Sequence, residues 1–438
     1  MNAAAQRVPL PVRAARMPRA EGGQAVDSLL CVLLGVYLLT LAFEGPLRYA
    51  LVAAGMPDAL YLRDAIPVGS LLFLFGRALF ARGEVDLPIA VPAALLALHA
   101  AYAAVMGVAL FSIAFGIKIF MFIPYGIAMW PLVRARRQAG FAFVAAVFAA
   151  TLAGVVANFF AGTLPWEGIE YSTAFGTATT TRTWWIPGGI SRLPGFTRTS
   201  FNAAMILGIT GVLSMVHIRR QAVQLFVAAA ALGGIVLTTS KGMILAFPVA
   251  AAWLVLQNRR PTGGHVLVGV LCALTFALPP LVVYAGLASS IAVDNIPAQL
   301  MSVWERFSQM WPEAFALLPP GPAAMLGGGP GSIGTPQLYG DTPDLLNAAD
   351  NVAVFMLVSL GLPGLFYCGV PALGLRRVAA TQPVDVHRAC AALLVIAYGY
   401  GMSISMIEES FFSIMFGLCF GAVFSAFAAQ PKPPGEAP

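Results

Sequence analysis

Charge is scarce in this chain. Lysine and arginine number 25, and aspartate and glutamate 19, among 438 residues; 10% of positions are charged and 59% are hydrophobic. With a mean hydropathy of +0.82, a water-soluble globule of this size is excluded and the bilayer becomes most of the solvent. Short segments of alternating hydrophobicity are missing as well, which excludes a membrane β-barrel. The five cysteines (Cys31, Cys272, Cys368, Cys390, Cys419) all fall inside apolar runs, so no disulfide or metal framework is implied. Histidine is limited to His99, within a run, and His217, His265 and His387, near the ends of runs. No short-period or inverted repeat is visible.

What is present is a series of about twelve apolar runs: roughly 28–43, 64–80, 88–106, 109–132, 140–161, 201–217, 221–238, 242–257, 265–287, 351–375, 388–406 and 411–428. Runs of about 16–25 apolar residues are the length of membrane-spanning helices. The expected fold is an all-α polytopic membrane protein with about 12 transmembrane helices. The opening segment, "MNAAAQRVPLPVRAARMPRAEGG", is basic and lacks a cleavable signal pattern, so the first run is expected to be a retained helix. The expected organisation is a basic cytoplasmic tail (1–26), helices one to five (27–161), a first outer loop (162–200) and helices six to nine (201–287). A second outer loop (288–350), helices ten to twelve (351–428) and a cytoplasmic tail (429–438) complete it.

Arginine sets the orientation. With the N-terminus in the cytoplasm, the turns "RARRQ", "HIRRQ", "QNRRP" and "LRRVAA" all fall inside, following the positive-inside bias. Eight basic residues then lie outside or within a span: Arg48, Arg63, Lys118, Arg182, Arg192, Arg198, Lys241 and Arg306. Such exceptions bind an anion or pair with a carboxylate; Glu44 and Asp64 are the local carboxylates for Arg48 and Arg63. Lys118, amid "FGIKIFMF", calls for a partner or a function. Lys241, in "LTTSKGMILAF", either points into a cavity or snorkels to the surface.

Together the two long loops are rich in Trp, Gly, Pro, Arg and Asp. The first ends "TRTWWIPGGISRLPGFTRTSFNAAMIL", where Arg182, Arg192 and Arg198 with Trp184 and Trp185 lead into a helix N-terminus suited to phosphate. An interfacial Trp/Arg belt is the plainer reading. The second contains "WERFSQMW", with Arg306 and Trp311 on a short amphipathic segment. It continues with a "GGGPGSIG" run (Gly327–Gly334) able to approach a ligand closely, but without the Lys-Ser/Thr of a nucleotide-binding loop. Next comes "NAADNVAVFMLVSLGLPG", an Asp-Asn pair directly before an apolar run. Asp350 and Asn351 stand where a helix cap belongs, yet one residue suffices for a cap. Asp350 is the candidate to orient or deprotonate a hydroxyl, with Asn351 holding substrate. Glu408 and Glu409, in "SMIEES", are rival carboxylates, and Asp341 and Asp344 keep a weak metal alternative open.

In order along the chain, these elements resemble the O-antigen ligase/polymerase superfamily of bacterial inner-membrane glycosyltransferases, especially its Wzy-type exopolysaccharide polymerases. Asn351 is followed by glycines ten and thirteen residues on, Gly361 and Gly364. "RFSQMW…LGGGPGSIG" is similar to an Arg-x4-Trp element with a glycine-rich loop. "RLPGFTRTSFNAAM" resembles an Arg-x-x-Gly-Phe…Pro-Asn element at Arg192, Gly195, Phe196 and Asn202, with Phe201 in place of Pro. "TTSKG" is similar to a Ser-Arg-Gly turn, with Lys241 replacing Arg, and Glu44, Gly45, Arg48, Arg63 and Asp64 fit an N-terminal element of the exopolysaccharide branch. Asp350 stands where ligases of the family carry a His, and no histidine falls in the outer loops, which favours a polymerase.

The resemblance implies a GT-C-like fold in the bacterial inner membrane, with its active site facing the periplasm. It also implies undecaprenyl-pyrophosphate-linked glycans as donor and acceptor, inversion at the anomeric carbon, no cofactor and no metal. A chain-length regulator is a possible partner, and nucleic acid is not. Asp350 would be catalytic, and Arg192, Arg198, Lys241, Arg306 and Lys118 would bind pyrophosphate. Asn351, Arg182, Trp185, Asn202, Trp311, Gly329, Gly331 and Glu408 would bind substrate. An O-antigen ligase, and a secondary transporter or lipid-linked glycan flippase, are the alternatives.

Overall fold

Why apolar runs separated by basic turns become one bundle is visible in a computed structural model, which describes residues 21–82, 87–183, 185–186, 190–257, 263–286, 296–297, 300–340 and 346–429. The chain is an α-helical, multi-pass membrane protein. Its long helices are α1 (Glu21–Ala42), α3 (Ala65–Arg82), α4 (Leu87–Val105), α5 (Leu110–Ala135), α6 (Arg137–Ala161), α7 (Ser200–His217), α8 (Gln221–Leu237), α9 (Lys241–Gln257), α10 (Gly264–Tyr284), α13 (Val352–Thr381), α14 (Val384–Gly401) and α15 (Ser410–Ala428). Among the described residues nine spans are long and apolar enough to cross a membrane; α8 and α9 are shorter apolar helices. Shorter pieces, α2 (Glu44–Ala53), α11 (Met301–Glu305) and α12 (Trp311–Ala316), lie between them.

Helices α5, α7, α14 and α15 form the inner layer, where Tyr125, Leu207, Tyr398 and Phe412 are wholly buried. Outer helices turn apolar side chains outward, among them Leu72, Leu98, Phe226 and Leu281. That arrangement suits lipid rather than water as solvent. Close approach of α5 and α15 depends on small residues: a Cβ added at Gly417 would lie 2.3 Å from the Ile123 carbonyl oxygen, and one at Gly126 2.3 Å from that of Ile414. Gly417 and Gly421 form a small-xxx-small pair of the kind that lets membrane helices touch. Gly417→Val is expected to force these helices apart and cost about 1–3 kcal/mol of overpacking strain. The thermal midpoint of the purified protein checks it; an unchanged midpoint would show that the contact is not tight.

Basic turns gather at one end. Arg77 pairs with Asp27 at 2.9 Å, Arg136 donates to Ser28 at 2.9 Å, Arg137 pairs with Asp385 at 3.3 Å, and Arg377 donates to the Ala429 carbonyl at 3.0 Å. The opposite end carries the long loops, whose described residues form short strands, helices and 3-10 turns. The first holds two antiparallel hairpins: β1 (Glu170–Thr173) with β2 (Gly176–Thr179), and β3 (Trp185–Ile186) with β4 (Ile190–Ser191). It is docked by Gly195–Phe196: Phe196 stacks on Phe43 at 5.3 Å, its carbonyl accepts from the Gly45 N–H at 2.9 Å, and the Gly195 N–H donates to Asn158 at 3.0 Å.

The glycine run of the second loop packs on helices, where it was expected to face a ligand. A Cβ at Gly329 would strike Ala103 on α4, and one at Gly331 would strike the Ser112 backbone on α5. Helix α13 breaks at Gly361, whose φ is 65° and ψ −151°. Gly327 fills the break and the Gly328 N–H donates to the Val358 carbonyl at 2.7 Å. An acceptor freed within the bilayer is thereby satisfied.

Candidate functional site

The loop-bearing end holds a connected set of charges. Glu44 opens α2 and is almost fully buried. It accepts two hydrogen bonds from Arg48, at 2.8 and 2.5 Å, and lies 3.2 Å from Arg63. Burial alone would raise the Glu44 carboxyl, but Arg63, Arg48 and Arg198 outweigh it and hold the group well below the usual carboxylate range. Arg48 also donates to the Tyr171 hydroxyl at 2.5 Å, which ties the first hairpin to α2. Arg63 continues to Asp64 at 3.7 Å, and Asp64 pairs with Lys118 at 2.5 Å and accepts from the Tyr37 hydroxyl at 3.1 Å. Lys118, expected to meet pyrophosphate, is therefore neutralised within the protein, as membrane depth requires.

Lys118 also sits against a box of aromatic rings that sequence reading did not single out. Its ammonium lies 5.9 Å from the Tyr61 ring and 5.6 Å from Phe115. Phe115 stacks on Tyr339 at 3.6 Å, and Phe175 stands edge-on to Tyr61 at 5.1 Å. These rings come from α5, a 3-10 turn (Pro57–Asp64), the β1–β2 turn and a second 3-10 turn (Thr335–Tyr339), so no local motif announces them.

The second centre is Asp350 with Arg306, paired at 2.7 Å. The Asp-Asn puzzle resolves into two jobs. Asn351 is the cap: its side-chain oxygen accepts from the Ala353 and Val354 N–H groups at 2.8 and 3.0 Å, and its amide donates to the Thr275 and Met402 carbonyls at 3.3 and 3.4 Å. Fully buried and committed on both sides, Asn351 holds helix, in correction of the substrate role expected for it. Asp350 takes no part in the cap. Burial lifts its carboxyl above the usual range while Arg306 opposes the rise. Its backbone is strained: φ is 41° at Asp350 and 58° at Ala349. Left-handed non-glycine residues cost about 1–3 kcal/mol each and cluster at functional sites. Thr239, two residues before Lys241, is the other such residue described, with φ 57°.

Arg306 and Trp311 are brought to one side by a π-helical turn, Arg306–Met310, between α11 and α12. Residues five apart hydrogen-bond in a π turn, whereas an α-helix would put them on different faces. Trp311 is buried and packs on Phe307 at 4.9 Å, so the residue expected to bind substrate is core instead. Arg306 donates to the Ser302 carbonyl at 2.6 Å.

Arg192 sits 5.4 Å from the Phe201 ring. Burial pulls its pKa down, with Arg306 adding to that and Tyr400 opposing it. Arg198 is likewise lowered, by burial first and then by Arg48. The Nε–H groups of Arg192, Arg198 and Arg306 are buried and find no acceptor among the described residues. An unsatisfied buried donor costs about 1–3 kcal/mol; Arg63 and Arg388 carry such an Nε–H as well. Arg182 is exposed, and its N–H donates to the Arg198 carbonyl at 2.9 Å. Lys241 is exposed at the start of α9, next to Ser240, whose hydroxyl lies 2.9 Å from that of Tyr400. Asn202 is engaged internally: it accepts from the Thr199 hydroxyl at 3.0 Å and bonds Glu409. The side chain of Trp185, with Trp184, Asp341 and Asp344, lies outside the described residues. Among the described residues no three His, Cys, Asp or Glu side chains form a metal-ligating group.

Glu408 and Glu409 join the two centres. Glu409 is raised by burial and Glu44, with Arg198 and Asn202 opposing. Glu408 accepts from the Thr335 N–H at 2.7 Å, and burial, with Glu409 and Asp350, pushes its carboxyl up to about 7. A carboxyl raised on folding contributes stability that is full below its ordinary value of 4.5 and lost as pH rises through about 7. The thermal midpoint should therefore fall between about pH 4.5 and pH 7, and Glu408→Gln should flatten that part of the profile. An unchanged slope in the variant would show that another group titrates there.

No family model matches the chain, and no curated protein matches it.

Proposed function

We propose that this protein is a multi-pass glycosyltransferase of the bacterial inner membrane, with about twelve spans and a cytoplasmic basic end. It would join lipid-linked oligosaccharide repeats at its loop-bearing, periplasmic end. The reading is supported by one observation above all: the buried Nε–H groups of Arg192, Arg198 and Arg306, without acceptors among the described residues, stand at the same end as the strained Asp350. Guanidinium forks suit pyrophosphate oxygens. In the proposed reaction an acceptor hydroxyl attacks the anomeric carbon of the donor, and the bond from that carbon to the pyrophosphate oxygen breaks. The undecaprenyl pyrophosphate leaves with the electron pair, and the hydroxyl proton passes to the Asp350 carboxylate. Arg192, Arg198 and Arg306 would stabilise negative charge growing on the leaving group. Asp350, raised above its ordinary value, is a better proton acceptor than an exposed aspartate.

Purified protein in liposomes, given undecaprenyl-pyrophosphate-linked repeats alone, should produce a ladder of longer lipid-linked glycans. A flippase would move the repeats across the bilayer without lengthening them. A ligase would transfer glycan only when a lipid A-core acceptor was supplied. Either outcome replaces the polymerase reading.

A further inference from the structure

The opposite end of the bundle carries a feature that glycan transfer does not use. A cleft of about 580 Å³ opens between α1, α6 and α14, floored by α15. That lies within the roughly 300–1,000 Å³ of sites that enclose small organic ligands. Its walls are apolar, including Leu38, Phe143, Val144 and Leu393, and its mouth carries Arg134, Arg136 and Arg137. We propose that this cleft is a binding site for one anionic phospholipid, its acyl chain between α1 and α6 and its phosphate on Arg134 and Arg136.

Three observations carry the assignment. The gap has free room beside its glycines: an added Cβ would come no closer than 3.5 Å to Phe143 at Gly35, and 3.8 Å to Val133 at Gly140, which is ordinary contact. A groove at membrane depth that protein does not fill loses dispersion contacts along its whole lining unless a hydrocarbon chain supplies them. The mouth is also positive overall. Asp385 engages Arg137 at 3.3 Å, and Asp27 is taken by Arg77 at 2.9 Å. Arg136 makes one good bond, to Ser28 at 2.9 Å, and a long one to the Cys31 sulfur at 3.8 Å. Arg134 is exposed and makes no ion pair among the described residues. Finally, the mouth is at the end where basic turns gather, the position in which clefts between membrane helices take anionic headgroups. A zwitterionic lipid offers the same phosphate, but its quaternary ammonium would face the arginines. The proposal does not rest on the glycosyltransferase reading.

Delipidated full-length protein, offered equal phosphatidylglycerol and phosphatidylcholine, should retain one phosphatidylglycerol in native mass spectrometry. Arg134→Glu, at an exposed position without an ion pair among the described residues, should weaken that retention about tenfold, with the melting temperature confirming that the variant folds. Gly35→Phe should abolish it by filling the groove, with the melting temperature confirming that the variant folds. Equal retention of the two lipids, undiminished binding in Arg134→Glu, or a second polypeptide occupying the cleft would each overturn the assignment.

Discussion

Arg306→Ala is expected to slow extension of lipid-linked glycan by roughly a hundredfold or more, the usual cost of removing a donor that stabilises transition-state charge. The residue does two things at once. It holds Asp350 at 2.7 Å, and it carries a buried Nε–H with no acceptor among the described residues. Without the guanidinium, Asp350 loses the one charge that opposes its burial. Its pKa would rise further, and the pH dependence of the remaining activity should shift upward. Arg306→Lys should recover little, since an ammonium keeps the charge but not the planar fork. Asp350→Asn should lose extension to a similar degree while leaving the Asn351 cap and the melting temperature in place. A ladder of normal length from folded Arg306→Ala protein would remove this pair from the chemistry.

Glu44→Ala should produce the largest loss of stability. The carboxylate is the shared counter-ion of Arg48 and Arg63, and breaking a buried ion pair from one side costs about 3–5 kcal/mol. A fall in thermal midpoint on the order of 5–10 °C is expected. Acid should mimic the mutation. A carboxyl whose folded pKa is depressed contributes stability that is present above its unfolded value and lost as pH falls through the folded one. Wild-type protein should therefore soften at pH below the usual carboxylate range, and Glu44→Gln should lose that acid sensitivity. The sign is opposite to that of Glu408, whose contribution disappears as pH rises towards about 7. If Glu44→Ala melts like the wild type, the triad of Glu44, Arg48 and Arg63 is not a buried support.

The sequence read well wherever one physical effect dominated. Each apolar run coincides with a helix, because hydrocarbon leaves the backbone no other way to satisfy itself. Pairing of Glu44 with Arg48, and of Arg63 with Asp64, was legible from proximity and from the cost of stray charge. Asn351 and Asp350 were visible as a pair, but their division of labour was not. Capping depends on backbone torsions, and only the left-handed turn at Ala349–Asp350 separates the two side chains. Trp311 and the glycine run misled for a common reason. Aromatic rings and glycines serve ligand contact and close helix packing equally well, and only neighbours decide between them.

Composition and spacing alone therefore determined a helical membrane protein with basic turns at one end and isolated cations at the other, since the transfer of charge and apolar surface between water and lipid is a property of the residues themselves. Tertiary structure alone decided which cations are neutralised, as Lys118 is by Asp64, and which keep unused donors, as Arg192, Arg198 and Arg306 do. Electrostatic and hydrogen-bond energies depend on distance and enclosure, and residues hundreds of positions apart acquire both only when the helices pack.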